Sequence, residues 1–202
     1  MKLAVFSHCA IDTITIDGTN YEQIGGAACY SGITARQFKF DVDLHTKFGP
    51  DFPKQYLNDD KINLVNSESQ KNTTKFTISI TGSDRTLKLE NECEEIDYSH
   101  SDADAHLVSP IYHEISDETF KNIKTDSNFL FVDPQGFLRR KDPQNNIFLE
   151  KTDLDLTNVD AIKVNPEESN QIVNGTNDEM MLALQKKGIQ HVLLTDKANV
   201  SL

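Results

Sequence analysis

The segment "VDAIKVNPEESNQIVNG", which runs from Val159 to Gly175, decides the fold class. It opens with a short apolar run, which predicts a buried strand. The residues after it predict a helix that starts at Pro166, because proline is favoured in the first helical turn, and that ends before Gly175. A buried strand that leads directly into a helix is typical of a βα unit in a parallel sheet.

The rest of the second half repeats this alternation of strand and helix. Strands are predicted in "AHLVS", "NFLFVD" and "IQHVLLTD", and helices in "SDETFKNIK", with Ser116 as its N-cap, and in "NDEMMLALQKKG". Ligands of parallel sheets bind at the carboxyl ends of the strands, so the polar residues at those ends are candidates for a common site. They are Asp12, Ser109, Asp133, Asn165 and Thr195.

The first half adds a small, half-exposed sheet to this core. "TITID" alternates polar and apolar residues, and "TKFTISITGSDRTLKLE" predicts a β-hairpin with one polar face. We expect lid strands at approximately residues 12–18 and 73–90. Between them, Gly25 and Gly26 precede a helix predicted over residues 27–39, and we expect them to let a ligand approach the backbone closely. A plain turn before the helix is the alternative.

Composition and charge exclude several classes of protein. The formal net charge is −12, and the only tight basic cluster is Arg139–Lys141, so a nucleic-acid partner is not expected. No apolar stretch is long enough to cross a membrane. The three cysteines, Cys9, Cys29 and Cys93, have neither metal-ligand nor redox spacing. We therefore expect a cytoplasmic protein with reduced thiols.

The ordered series of motifs resembles the ribokinase-like carbohydrate kinases, the PfkB family, over nearly the whole chain. Two further strands are predicted in "KLAVFS" and "VDLHTKFG". The residues that carry the resemblance are Asp12 after the first of these strands, Gly25 and Gly26 before a helix, Gly49 at the end of the second, Asn165 and Glu168 in an N-x-x-E motif, and Thr195 at the end of the last strong strand. Two positions depart from the family pattern, since Tyr30 stands in place of its asparagine and Lys39 in place of its glycine.

The resemblance implies both the fold and the reaction. The fold would be a three-layer α/β/α arrangement with a mostly parallel central sheet and a small β lid, and residues 1–202 would form a single incomplete kinase domain. The reaction would be ATP-dependent phosphoryl transfer, with Mg²⁺, to a hydroxyl of a sugar or nucleoside. A homodimer formed through the lid strands is a further expectation.

The resemblance also implies roles for individual residues. The substrate would be bound by Asp12, Gly25, Gly26, Tyr30 and Asp133. Asn165 and Glu168 would organise the phosphates and Mg²⁺, Glu168 through water, and Thr195 would lie at the nucleotide site. Simpler interpretations remain open. Asp12 could be a turn residue at a strand end, and Asp133 with Pro134 a strand stop. Asn165 is also a good helix N-cap, Thr195 an ordinary strand residue, and Tyr30 either stacks on a nucleobase or fills the helix face.

One motif of the family is missing from these 202 residues. The family's catalytic base is an aspartate in a G-A-G-D motif, and no Gly-Asp pair occurs in the sequence. We therefore expect the catalytic segment of the resemblance to lie beyond Leu202 and the given chain to have little or no activity. The alternative function is a non-catalytic binding or assembly protein that retains the sugar-binding half of the fold.

Overall fold

The computed structural model describes residues 1–82, 84–196 and 199–201. Its centre is an eight-stranded sheet in which neighbouring strands run parallel, except for the last pair, β13 and β14. In spatial order the strands are β14 (Asn199–Ser201), β13 (His191–Asp196), β12 (Ala161–Val164), β9 (Leu130–Val132), β8 (Ala105–Val108), β1 (Lys2–Phe6), β4 (Asp41–His45) and β5 (Ile62–Val65).

Helices connect these strands, and three of the helices begin at side-chain caps. The helices are α1 (Ala27–Gln37), α2 (Asp117–Asp126), α3 (Gln135–Leu138), α4 (Pro166–Ile172) and α5 (Asn177–Lys186), and a 3₁₀ turn occurs at Lys54–Leu57. Ser116 caps α2 by accepting a hydrogen bond from the Thr119 N–H at 3.1 Å. Asn165 and Thr176 begin α4 and α5 with capping boxes, which satisfy backbone groups that no helical bond reaches.

The core lies on both faces of the central sheet. Along β1, Ala4 and Phe6 face one apolar cluster together with Phe120 of α2 and Leu184 of α5. Val5 faces the opposite cluster, which contains the buried side of α1. Helices therefore cover both faces, and the predicted three-layer α/β/α fold with a mostly parallel sheet is confirmed. None of the described helices is long and apolar enough to cross a bilayer.

A second sheet, which we call the lid, stands apart from the core. Its four strands, in spatial order, are β3 (Thr19–Gly25), β2 (Ala10–Ile16), β6 (Thr74–Thr81) and β7 (Asp84–Asn91). The β6–β7 hairpin lies close to the predicted bounds. Strand β3 is not among the predicted lid strands: the chain reverses at Asp17-Gly18, both with positive φ, and β3 pairs with β2 along its whole length.

A short hairpin joins the lid to the core. It consists of β10 (Arg139–Lys141) and β11 (Ile147–Leu149), neither of which the sequence pattern predicts. The Leu89 N–H of the lid donates to the carbonyl of Asn145 in its turn, at 2.9 Å. This contact holds β7 of the lid next to residues that follow β9 of the central sheet.

Candidate active site

A cavity of about 210 Å³ lies between the lid and the core, and we call it the Asp12 cavity. The lid supplies one wall and α1, α3 and the 110–111 loop supply the other. The lining residues are Ala10, Asp12, Gly26, Ala27, Tyr30, Phe76, Ile78, Arg85, Leu87, Ile111, Gln135 and Arg139. Three residues predicted for the substrate, Asp12, Gly26 and Tyr30, therefore share one cavity.

Asp12 is the acidic residue of this cavity, and it lies on lid strand β2. Its Oδ1 is buried and has no hydrogen-bond partner among the described residues. Burial raises the pKa of its carboxyl to about 6, against the opposing effects of the Phe76 N–H and the charges of Arg139 and Arg85. A buried carboxylate oxygen without a partner is costly, so the geometry favours a ligand that donates a hydrogen bond to it.

The two glycines meet different constraints at the junction of β3 and α1. A side chain at Gly25 would collide with the Asp12 carboxylate. Gly26 has φ of 86°, and a Cβ there would lie 2.8 Å from the Ala10 nitrogen. Gly25 therefore makes room for Asp12, and Gly26 lets α1 start against the chain's own backbone. Only Gly26 of the pair lines the cavity.

Tyr30 ties helix α1 to the edge of the lid. Its hydroxyl accepts a hydrogen bond from Gln23 Nε2 at 2.7 Å and lies 3.4 Å from the carbonyl of Ile24, both on β3. The side chain is half exposed, at 52%. Tyr30 thus forms a side wall of the Asp12 cavity and connects lid and core.

The cavity also contains residues that sequence reasoning missed, namely Arg85, Gln135 and Arg139. Arg139 is partly buried, and its guanidinium donates to the Ile111 carbonyl at 2.8 Å and to Gln135 Oε1. Burial lowers the pKa of Arg139 to about 10, which leaves it charged at neutral pH. The "LRRK" cluster marks this region in the sequence, but charge alone does not say which basic residue faces the cavity.

A second cavity of about 350 Å³ adjoins the first, and we call it the Glu168 cavity. The two share Arg85, Leu87, Gln135 and Arg139. Asn165 and Glu168 line the second cavity and cap helix α4 reciprocally: Asn165 Oδ1 accepts from the Glu168 N–H at 2.8 Å, and Glu168 Oε2 accepts from the Asn165 N–H at 2.9 Å. The two predicted regions therefore form one continuous cleft.

Asp133 lies beside Glu168 and not in the Asp12 cavity. The ammonium of Lys163 is 3.3 Å from Asp133 Oδ2 and 3.7 Å from Glu168 Oε2. Asp133 is absent from the described lining of both cavities. The substrate contact predicted for Asp133 is thus separated from the Asp12 cavity.

Lys163 also lies at the predicted Mg²⁺ site. Lys163 already places a positive charge between the two carboxylates, and burial raises the pKa of Glu168 despite it. No group of three or more metal-ligating residues occurs in the described part of the chain. These residues do not form a metal site by themselves, and water-mediated contact from Glu168 to Mg²⁺ stays a prediction.

Comparison with known proteins gives the fold its name. No family model and no curated protein matches the sequence. Among solved structures, a pyrophosphate-dependent kinase in the ribokinase family, complexed with a pyrophosphate analog and myo-inositol, matches with a TM-score of 0.86 at 19% identity, over 99% of this chain and 74% of its own. The chain has the fold of the ribokinase-family kinases.

Other ribokinase-fold structures match less closely. A fructokinase from Halothermothrix orenii matches with a TM-score of 0.71 at 12% identity, over the whole chain and 84% of its own. A nucleoside kinase from Burkholderia thailandensis in complex with inosine has a TM-score of 0.69 at 13% identity, over 97% of this chain and 70% of its own. The family resemblance predicted from the sequence is confirmed at the level of the fold.

The last predicted site residue in this ribokinase fold is Thr195, near the end of β13. Its hydroxyl is 3.4 Å from the carbonyl of Val164 on β12. Thr195 is absent from the described lining of both cavities. Residues 197 and 198, which follow it in the predicted nucleotide region, lie outside the described residues.

Proposed function

We propose that this chain carries the acceptor-binding half of a phosphotransferase that acts on a hydroxyl of a sugar-like polyol. The observation that carries the proposal is the unpartnered, buried Oδ1 of Asp12 in a cavity between lid and core. A carboxylate held there accepts hydrogen bonds from ligand hydroxyls, and the apolar wall formed by Phe76, Ile78 and Leu87 excludes water around them.

The size of the cavity favours a single ring over a nucleoside. Sites for drug-sized ligands usually occupy about 300–1,000 Å³, whereas the Asp12 cavity has about 210 Å³. A ribokinase-family kinase complexed with myo-inositol and a myo-inositol kinase match this fold with TM-scores of 0.86 and 0.84. A cyclic polyol of sugar size is therefore the first candidate, and a nucleoside that extends past Tyr30 is the second.

The phosphate donor would approach from the Glu168 cavity. ATP is the donor that the family resemblance implies. Pyrophosphate is a second candidate, since the three matches with TM-scores of 0.84 to 0.86 are pyrophosphate-dependent kinases. Phosphoryl transfer depends mainly on positioning and charge stabilisation, and the chain's own residues contribute by holding the acceptor at Asp12 and excluding water beneath the lid.

We expect these 202 residues to bind an acceptor without phosphorylating it. They contain no G-A-G-D motif to supply a base and an anion hole. The non-catalytic binding protein is therefore a second candidate function.

The described cysteines are all buried and free, which favours a reducing compartment such as the cytoplasm.

Acceptor binding is testable by calorimetric titration with myo-inositol, fructose, ribose and adenosine, beside a coupled assay with ATP or pyrophosphate. We expect a cyclic polyol to bind and Asp12→Asn to weaken it at least about tenfold, because the hydrogen bond to a charged group is lost. Asp17→Asn is the matched control, since Asp17 lies at the exposed turn of the same lid hairpin. Equal binding by both variants would contradict the assignment of Asp12, and turnover by the wild-type chain would contradict the expected inactivity.

A further inference from the structure

The chain has four arginines, and two of them lack a carboxylate partner among the described residues. Arg36 and Arg140 each form an ion pair, at 2.8 and 3.1 Å respectively. Arg85 and Arg139 form none with the described residues, and these are the two arginines that line both cavities. The unpaired guanidiniums therefore meet at the wall that the cavities share.

The partly buried Arg139 is held in place on the core side of this wall. Its Nη1 donates to the Ile111 carbonyl at 2.8 Å, and its guanidinium lies 5.6 Å from the centre of the Phe76 ring. Glu114 does not pair with it, because that carboxylate accepts the N–H groups of Ile111 and Tyr112, both at 2.7 Å. Since a partly buried charge is stabilised by a partner, the site is one that an anion would complete.

Arg85 approaches the same wall from the lid. It lies on β7, where Arg85, Leu87 and Leu89 point to one face and Lys88 and Glu90 to the other. The two guanidiniums lie between Asp12, in the Asp12 cavity, and Glu168, in the Glu168 cavity. Neither carboxylate forms an ion pair with them. Positive charge at the junction is thus available to a ligand.

We infer that Arg85 and Arg139 form a subsite for a phosphate group at the junction of the Asp12 and Glu168 cavities. Guanidinium groups match phosphate oxygens in a bidentate manner, and two of them suit a group with three free oxygens. The space continues on both sides, so the bound phosphate can be bonded to a second phosphate in the Glu168 cavity or to a polyol in the Asp12 cavity. The inference rests on the proposed function only where the bound phosphate is bonded to a polyol.

Titration of the full chain, at fixed ionic strength and without added divalent cation, tests the subsite. The two probes are pyrophosphate, which represents a donor, and myo-inositol monophosphate, which represents a phosphorylated acceptor. Arg85→Gln should weaken both at least about tenfold, because a charge-assisted contact is lost. Lys88→Gln is the matched control: it removes the same charge from the same strand on the opposite face, where Lys88 pairs with Glu90 at 3.2 Å, and it should leave both affinities unchanged.

Asp12→Asn distinguishes a phosphate that belongs to a donor from one that belongs to a phosphorylated acceptor. It should weaken the polyol phosphate and leave pyrophosphate unaffected or bound more tightly, since a nearby negative charge is removed. The inference is overturned if neither phosphate binds to the wild-type chain, or if Arg85→Gln and Lys88→Gln bind phosphate equally. Unphosphorylated polyol that still binds in an Asp12-dependent way would then leave the proposed function intact.

Arg139→Lys provides a second variant that keeps the charge. It loses the planar fork, so phosphate affinity should fall by a clearly larger factor than the affinity for unphosphorylated polyol. An equal fall in both affinities with an unchanged melting temperature would contradict a phosphate-specific subsite.

Discussion

The carboxylate of Asp12 occupies the space that a side chain at position 25 would need. A Cβ on Gly25 would lie 3.2 Å from Asp12 Cγ and closer still to Oδ2. Gly25 does not have a positive φ, so alanine fits its backbone, and the clash can be relieved by rotation of the Asp12 side chain. The pair therefore couples the end of strand β3 to the orientation of the candidate ligand-binding carboxylate.

Gly25→Ala should consequently lose acceptor affinity and keep its stability. We expect polyol binding to weaken about tenfold or more because Asp12 is turned away, while the free energy of unfolding changes by less than about 1 kcal/mol. Calorimetric titration with myo-inositol and denaturant unfolding measure the two quantities. Wild-type affinity in this variant would contradict the proposed orientation of Asp12.

Gly26→Ala is the contrasting change at the next residue. Its φ is 86°, and a Cβ there would clash with backbone atoms of His8 and Ala10, which cannot rotate away as a side chain can. We expect a loss of about 1–3 kcal/mol in the free energy of unfolding, as for other strained backbone positions. If Gly26→Ala unfolds at the wild-type denaturant concentration, the packing of α1 against residues 8–10 is looser than the structure indicates.

Acceptor binding should depend on pH through Asp12. Burial raises the pKa of this carboxyl to about 6, so its ionised form, which accepts hydrogen bonds, becomes dominant above that pH. Polyol affinity should increase from about pH 5 to about pH 7 and then level off. Titrations across this range in wild type and Asp12→Asn measure the effect, and the variant should have no such step.

The free energy of unfolding should change in the opposite direction over an overlapping pH range. The pKa of Asp12 is higher in the folded than in the unfolded chain, so the folded chain binds the proton more tightly. Its free energy of unfolding should therefore fall as pH rises from about 4 to about 6, and Asp12→Asn should remove that part of the fall. Identical pH profiles of unfolding for wild type and variant would contradict a buried, unpartnered Asp12.

The central sheet is predictable from sequence because its strands are short apolar runs that lead into capped helices. Segments such as Val159–Gly175 contain the local signals of both a strand and the helix that follows it. Strand β3 is not predicted because Thr19–Gln23 are all exposed at the edge of the lid and have no apolar alternation. The Asp17-Gly18 pair was the available signal, since such pairs favour the tight turn of a β-hairpin.

The candidate site is predictable only where a residue lies next to its own motif. Asp12 and the N-x-x-E pair fulfil this condition, whereas Arg85 and Arg139 come from a lid strand and a short hairpin far apart in sequence. Lys163 looks like an ordinary strand residue, and only the spatial approach of β9 to β12 reveals its contact with Asp133. These contacts depend on long-range pairing that no local pattern encodes.

A homodimer through the lid remains a proposal with a direct test. Ile16 and Tyr21 lie on the lid and are 42% and 55% exposed, and strand β3 is an open edge of its sheet. Exposed apolar residues beside a free edge favour pairing with a second copy. Sedimentation velocity should give a dimer whose dissociation is increased by Tyr21→Lys, whereas Tyr56→Lys, an equally exposed tyrosine on the 3₁₀ turn, should have no effect. A monomeric wild type would contradict the proposal.

The capping role of Asn165 and its predicted role in binding phosphate can be tested separately. Asn165→Ala should lower the free energy of unfolding by about 1 kcal/mol, because α4 loses its N-cap. Asn165→Ser retains a capping oxygen but lacks the amide nitrogen, so it should restore stability without restoring pyrophosphate binding if the amide contacts phosphate in the Glu168 cavity. Denaturant unfolding and titration with pyrophosphate measure the two effects. Full rescue of both by serine would mean that Asn165 only caps the helix, and the role in organising phosphate would then rest on Glu168 alone.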